Sequence, residues 1–337
     1  MTISPFSPGS YASRESARMF VDMRRAAETL EKQMATGQRS ETYSGLGYER
    51  RTSLDLRARL AALESYGETM TSAEIRLKAM VDGATSLEKI ASKTRSAALE
   101  PLSGIASADG VPQEQALARN NLAFAVEILN TELNGRHLFA GRASDTPPVA
   151  TYAEIFGELR TALNGVTDPD AVMTAVDAYF ATTTNWQPAG ADNGPGDPRA
   201  SVTARVDDGQ SVAIGARADE PAFRQLLVSL GALAAADTGA MSPEQYAALS
   251  ARVADRLSRD NPQPADVASD LGRAQATIAG VRERHEASSA LLKEALDGVE
   301  TVSTEEAAVS LLNLQTRLQA SFQTTAILSR LSLVNYL

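Results

Sequence analysis

STEEAAVSLLNLQTRLQASFQTTAILSRLSLVNYL, residues 303–337, contains neither Pro nor Gly. Ser303 with Glu306 three residues on has the spacing of a capping box, which predicts a helix start. Leu311, Leu314, Leu318 and Phe322 recur at three and four, and Ile327, Leu331 and Val334 continue the stripe after one five-residue step. That period belongs to an amphipathic helix. The opposite face is unusual, because after Glu306 only Arg317 and Arg330 carry charge. Its other polar positions include Ser310, Asn313, Gln315, Thr316, Gln319, Gln323, Thr324 and Thr325. A solvated helix normally presents ions outward. Short uncharged polar groups can instead be buried against another helix and stay hydrogen-bonded, without the desolvation penalty of a charge. The pattern therefore predicts a terminus packed on several sides in the working state.

The rest of the chain has matching habits. Its 337 residues allow two or three domains. Aromatic residues make up only 5% against 43% hydrophobic, so Ala and Leu supply most of the apolar surface, as in closely packed long helices. A net charge of −10 argues against nucleic acid, where cationic side chains must meet phosphates. The absence of Cys excludes disulfides, thiol catalysis and thiolate metal sites. No apolar run is long enough for a membrane span. The start, MTISPFSPGSYAS, lacks a cationic region followed by an apolar one, so no cleaved signal peptide is expected, and its Ser, Pro and Gly predict flexibility.

Heptad patterning begins early. Phe20, Met23, Ala27, Leu30 and Met34 alternate by three and four from a helix expected to begin near Ser13, and Gly37 stops it. A second helix is predicted from about Arg51 to Leu99, about 70 Å long at 1.5 Å per residue. Its stripe runs Leu56, Leu60, Leu63, Gly67, Met70, Ala73, Leu77, Met80, Ala84, Leu87, Ala91, Thr94 and Ala98, with a phase slip near Met70. A third helix, from near Gln113 and carrying Leu122, Val126, Leu129 and Leu133, is expected to end at Asn134-Gly135. The segment 150–262 reads differently. Short helices are predicted at 152–164, 168–181, 220–236 and 242–259. A β-hairpin is predicted around Val202, Ala204, Val206, the turn Asp207-Asp208-Gly209, and Val212 to Ile214. The heptad returns at Val267, Leu271, Ala274, Ile278, Val281, His285, Ser288, Leu292, Ala295 and Val299. The chain thus goes out along helices and comes back along helices.

The fold class expected is mainly α: long N- and C-terminal helices forming a coiled-coil rod, with an inserted small α+β middle domain. Five parts follow: 1–37, an N-terminal helix; 38–149, the ascending rod; 150–262, the inserted outer domain; 263–302, the returning rod; and 303–337, a C-terminal helix. The apolar stripes of the two terminal helices, the candidate contact surface, comprise Phe20, Met23, Leu30, Met34, Leu311, Leu314, Leu318, Phe322, Ile327, Leu331 and Val334.

Catalytic groups are scarce. His137 and His285 are the only histidines, and each reads as structural. There is no G-x-S-x-G elbow and no Walker loop. Asp192, Asp197, Asp207 and Asp208 do not have calcium-loop spacing and read as solvated turns. No catalytic residue, cofactor site or metal site is assigned, and no enzymatic activity is expected. The competing readings are an intracellular coiled-coil interaction protein, such as a sensor stalk or export chaperone, and an enzyme hosted by the middle segment around Trp186.

Four stretches carry a resemblance. LLNLQTRLQASFQTTAILSRLSLVNYL (311–337) resembles the C-terminal helix of the bacterial flagellin family, which includes the hook–filament junction proteins. LEKQMATGQR (30–39) is similar to that family's N-terminal helix and turn, and ELNGRHLFAGRASDTPPV (132–149) to the run that closes its helical core. VDDGQSVAIGARADEPAFRQLLVSLGALA (206–234) resembles its middle-domain hairpin and following helix. SETYSGLGYERR (40–51) departs from the usual flagellin stretch and favours the junction-type relative. The resemblance implies a structural subunit of the flagellar axis, either filament or hook–filament junction, that polymerises through paired terminal helices for motility. The implied partners are copies of itself, hook, hook-associated proteins and flagellin, an export chaperone, and the flagellar type III export apparatus. The implied location is extracellular, in the flagellum, after export without a cleaved signal.

Overall fold

Long apolar periodicities become long helices. The computed structural model describes residues 8–100, 112–142, 144–181, 202–258 and 260–334, with α1 side chains from Arg14 on, save residue 16, and α9 side chains up to Ile327. In chain order come α1 (Pro8–Thr36), a 3-10 segment (Tyr43–Glu49), α2 (Arg50–Leu99), α3 (Gln113–Leu129), β1 (Glu132–Leu133) and β2 (Arg136–His137). Then follow α4 (Tyr152–Ala162), α5 (Pro169–Ala181), β3 (Thr203–Asp207), β4 (Gln210–Ala213), α6 (Pro221–Ala235), α7 (Pro243–Arg256), α8 (Pro264–Glu300) and α9 (Thr304–Val334). The predicted Trp186 and the acidic positions Asp192 and Asp197 lie outside the described residues. Two units result: a terminal unit of Met1–Leu63 with Glu286–Leu337, and a central unit of Glu64–His285.

The central unit is organised around α6. Its sequence, PAFRQLLVSLGALAA, is apolar on nearly all sides, and a helix of that kind has to be covered on all sides. It packs against α3, α4, α5 and α7. Pro221 at its first turn costs no hydrogen bond there. Its C-terminal carbonyls are taken by α3: the buried Gln115 amide donates to Ala236 O at 2.7 Å and Ala234 O at 3.3 Å, and Arg119 Nε donates to Ala234 O at 3.1 Å. Thr238 Oγ1 donates to Gln115 Oε1, so the buried amide is satisfied on both ends. Thr151 with Glu154 and Ser242 with Gln245 form reciprocal capping boxes that start α4 and α7. The core runs without a break from Met70 to Val281 and takes in the stripe of α2, the inner face of α3, the hairpin β3–β4 and the α4–α7 cluster.

The α2 stripe falls as its period predicts: Met70, Ala73, Leu77, Met80, Ala84, Leu87, Ala91 and Thr94 are all buried. Thr94 accepts a bond from the Asn121 side chain of α3, 3.1 Å away. In α8, Leu271, Ile278, Val281 and His285 are buried. Beyond His285 the predicted Leu292 and Val299 are half-buried, but the alternate positions differ. Ser289 and Leu296 are half-buried, while the predicted Ser288 and Ala295 are exposed.

One predicted helix end needs correction. The third helix stops at Leu129, not at Asn134-Gly135. Those two residues, at φ 53° and 75°, form the turn of the β1–β2 hairpin, which pairs Glu132 with His137 and Leu133 with Arg136. Asn-Gly with positive φ at both positions is the turn that matches the twist of paired strands. Asn130 then fastens the following loop through two bonds to Val149, and His137 Nδ1 lies 2.8 Å from Asn130 O. The predicted hairpin at 202–214 is present as β3–β4, with an irregularity between Arg205 and Asp207. At its tip Asp207 accepts from Asp208 N–H at 2.8 Å and lies 3.3 Å from His285 Nε2. Both contacts, the backbone one first, hold the Asp207 carboxyl below its ordinary range.

Candidate functional site

The terminal unit is built differently. Among its described side chains only Leu46, Ser53 and Ala307 are buried. Its main feature is α1 lying against α9. The helix starts at Pro8, earlier than the Ser13 expected from sequence. Phe20, Met23, Ala27 and Leu30 of α1 are half-buried against α9, whose contributions are the buried Ala307 and the half-buried Leu311, Leu314 and Leu318. Phe20 stacks on Phe322, with ring centroids 4.7 Å apart and planes at 22°. The α9 start is capped by the Ser303 hydroxyl, which accepts from Glu306 N–H at 3.3 Å and donates to the Glu305 carboxylate.

The structure thus brings Phe20, Met23, Leu30, Leu311, Leu314 and Leu318 together on one seam. It does not place Met34 there: Gln33 takes the inner position, and Met34 is 38% exposed. The reason is local, since Gln33 Nε2 donates to Arg39 O across the turn that follows, at 2.9 Å. Phe322 touches Phe20 yet remains 61% exposed, and Ile327 is 59% exposed. The side chains of Leu331 and Val334 lie outside the described residues.

Four apolar side chains missed by the stripe complete the outer face: Met19 at 51%, Val21 at 48%, Val309 at 58% and Leu312 at 63% exposed. For Val309 and Leu312 the available signal was the scarcity of charge after Glu306; Met19 and Val21, flanked by Arg18 and Asp22, had no such signal. An open groove of about 510 Å³ runs where α1 meets α9, floored by Met19, Met23, Ala26 and Leu314, with Glu15, Arg18 and Asp22 along the rim.

Below the helix pair the two chain segments are joined. Gly37, at φ 68°, ends α1. The chain then meets the segment after α8 in a short antiparallel bridge between Gln38 and Thr301. Arg39 N–H donates to Glu300 O at 2.7 Å, and Val302 N–H to Gly37 O at 3.0 Å. The Glu300 carboxylate fastens this bridge to α2. It accepts from Arg57 Nε at 2.8 Å, from Arg57 Nη2 at 2.6 Å, and from the fully buried Ser53 hydroxyl. The Arg57 bonds, against a smaller opposing effect of burial, hold Glu300 below the ordinary carboxylate range, and they raise Arg57. Arg39 pairs in turn with Glu49.

This arrangement offers apolar flanks, an open groove and a braced base. Among the described residues no three His, Asp or Glu side chains come together as a metal site would require, and no helix is long and apolar enough to cross a membrane.

No known sequence family matches the chain, and no curated protein is similar to it in sequence. In three dimensions it is similar to a solved structure from Vibrio parahaemolyticus, provisionally named a flagellar hook-associated protein. The TM-score is 0.51 at 9% identity, over 75% of this chain and 97% of the other. At that identity the likeness is one of fold.

Proposed function

We propose that the chain is a non-enzymatic structural subunit of the bacterial flagellar axis, filament or hook–filament junction, that assembles through α1 and α9 outside the cell. The observation that carries this reading is the unfinished state of the terminal pair. On α9, Val309, Leu312, Phe322 and Ile327 are each 58–63% exposed. Finishing their burial would yield roughly 1–2 kcal/mol apiece, or about 4–8 kcal/mol together. Association costs on the order of 4–15 kcal/mol in lost freedom. One such face is therefore too small to hold a lone dimer tightly, whereas a subunit touching several neighbours in a stack gathers the gain several times over. The fold shared with a protein named for the flagellar hook, and the near absence of charge along α9, support the same reading.

On this reading the partners are further copies and other axial proteins, including hook, hook-associated proteins and flagellin. An export chaperone and the flagellar export apparatus handle the chain before assembly. Limited proteolysis tests the first step. In dilute monomer, cleavage is expected first within about 1–35 and 305–337, leaving the central unit intact, and assembly should protect the same sites. Termini as resistant as the central unit in dilute monomer would remove the main support. Immunogold labelling of intact flagella separates filament from junction, by label along the whole length or in one band beside the hook. A chain retained in the cytoplasm and absent from sheared flagella would instead establish the intracellular coiled-coil alternative.

A further inference from the structure

The loop between α1 and α2 holds a second, smaller contact device. Tyr48 is 92% exposed, the most exposed of the large apolar or aromatic side chains described. Its neighbours hold it there. Leu46, two residues before, is buried at 7% and anchors the loop. Between them Gly47 has φ 61° and ψ −125°, a conformation open essentially to Gly alone. Gly45 is equally constrained, because a Cβ there would lie 1.9 Å from Ser40 Oγ. The backbone is thus shaped to turn Leu46 inward and Tyr48 outward.

The same loop walls a cavity of about 170 Å³ whose lining includes Glu41, Thr42, Tyr43, Leu46, Arg57 and Glu300. A cavity of roughly 150 Å³ is enough to take a benzene ring. The lining suits a phenol. Leu46 and the Tyr43 ring offer apolar walls, and the Arg57 guanidinium sits 6.0 Å from the Tyr43 ring centre, a cation that would also face an entering ring. The Glu41 carboxylate, which also accepts from Lys32 Nζ at 3.2 Å, and the Thr42 hydroxyl, 3.1 Å from Ser44 Oγ, are the exposed oxygens that a phenolic hydroxyl would meet. The molecule's own Tyr48 does not enter, since it stands almost wholly in solvent.

We propose that Tyr48 of one copy seats in this cavity on a second copy. The proposal rests on the axial-subunit reading and adds a named contact to it. Each copy carries both knob and hole, so each can give one contact and receive another, and where the rotation between copies does not close, the contact propagates along a stack.

The chain has no Cys, so single-cysteine variants report the contact cleanly. Full-length Tyr48→Cys and Thr42→Cys are mixed at assembling concentration and oxidised with a copper(II) complex. The mixture should give disulfide-linked dimer in at least ten-fold excess over either variant alone. Tyr48→Ser should keep the helical content and melting temperature of the monomer yet sediment as assembly at least ten-fold less, and Tyr48→Phe should restore most of it. Three results would overturn the proposal: a mixture no richer in dimer than its components, a dominant 48–48 dimer from Tyr48→Cys alone, or Tyr48→Ser assembling as the parent does. Parent chain that assembles without the mixed cross-link sinks this contact only, whereas parent chain that never assembles removes the axial-subunit reading together with it.

Discussion

Glu300→Ala should loosen the base of the terminal pair while leaving the central unit folded. The carboxylate makes two kinds of contact, and they differ in worth. Arg57 is 49% exposed, so its paired bonds count as a surface ion pair of about 0.2–1 kcal/mol. Ser53 is fully buried, and removing its acceptor strands a hydroxyl at about 1–3 kcal/mol. The sum is about 2 kcal/mol, or roughly 30-fold in a local opening equilibrium. Amide hydrogen exchange reads this directly at Arg39 and Val302, whose N–H groups close the bridge. Both should exchange roughly 30-fold faster, with amides of α6 unchanged. A double-mutant cycle with Ser53→Ala should show coupling, because both changes remove the same bond. Acceleration below about three-fold, or strict additivity with Ser53→Ala, would refute the reasoning. Acid should imitate the mutation. Glu300 is held below its ordinary range in the folded chain, so its stabilisation is complete above the unfolded value of about 4.3 and is lost as pH falls through the folded value. Protection at the two amides should therefore be flat above about pH 6 and decline below about pH 4.

Other perturbations address the central unit. At Gly231 an added Cβ would sit 2.9 Å from Leu159 Cδ1 and 3.3 Å from Val176 Cγ1. Gly231→Val should overpack this core by about 1–3 kcal/mol despite the better helix former, lowering the melting temperature by several degrees in calorimetry. Gln115→Leu removes both bonds that the buried amide donates and the one it accepts from Thr238 Oγ1, leaving Ala236 O to the Thr238 N–H and Ala234 O to Arg119. A loss of about 1–3 kcal/mol should appear as a lower urea midpoint with an unchanged slope. Asp207→Ala removes the acceptor for Asp208 N–H and the partner of His285. Hydrogen exchange in β3 and β4 should then quicken about three- to ten-fold, as for the loss of roughly 1 kcal/mol.

The long elements were legible because their period was long. The α2 stripe from Met70 to Thr94 holds one phase over seven helical turns, and each of its positions is buried. Short signals fared worse where two rules share one sequence. Asn134-Gly135 is a helix stop by one rule and a hairpin turn by another, and what decided it was the end of α3 at Leu129, which frees Glu132 and Leu133 to pair with His137 and Arg136. The seam of the terminal pair was legible except at Met34, where a side-chain bond from Gln33 to the Arg39 carbonyl set the rotation. The α8 stripe kept Leu292 and Val299 after His285, but Ser289 and Leu296 replaced Ser288 and Ala295; the larger apolar side chain of Leu296 was a signal for the second change, and none marked the first. The outer apolar face was only half visible, because periodicity finds the side a helix buries and is silent about the side it leaves open. Tyr48 had no signal of its own, since its exposure follows from the backbone angles of Gly47.

The pairing of α1 with α9 has a consequence for how the chain is made. Roughly 270 residues separate the end of one helix from the start of the other. At a synthesis rate of about 5–20 residues per second, α1 waits roughly 15–50 s for its mate to appear. Throughout that interval Phe20, Met23 and Leu30 have no intramolecular shelter. The nascent polypeptide therefore carries a greasy leading segment past the ribosome exit with no means of hiding it, and a transient cover supplied by another molecule would keep such intermediates from coalescing.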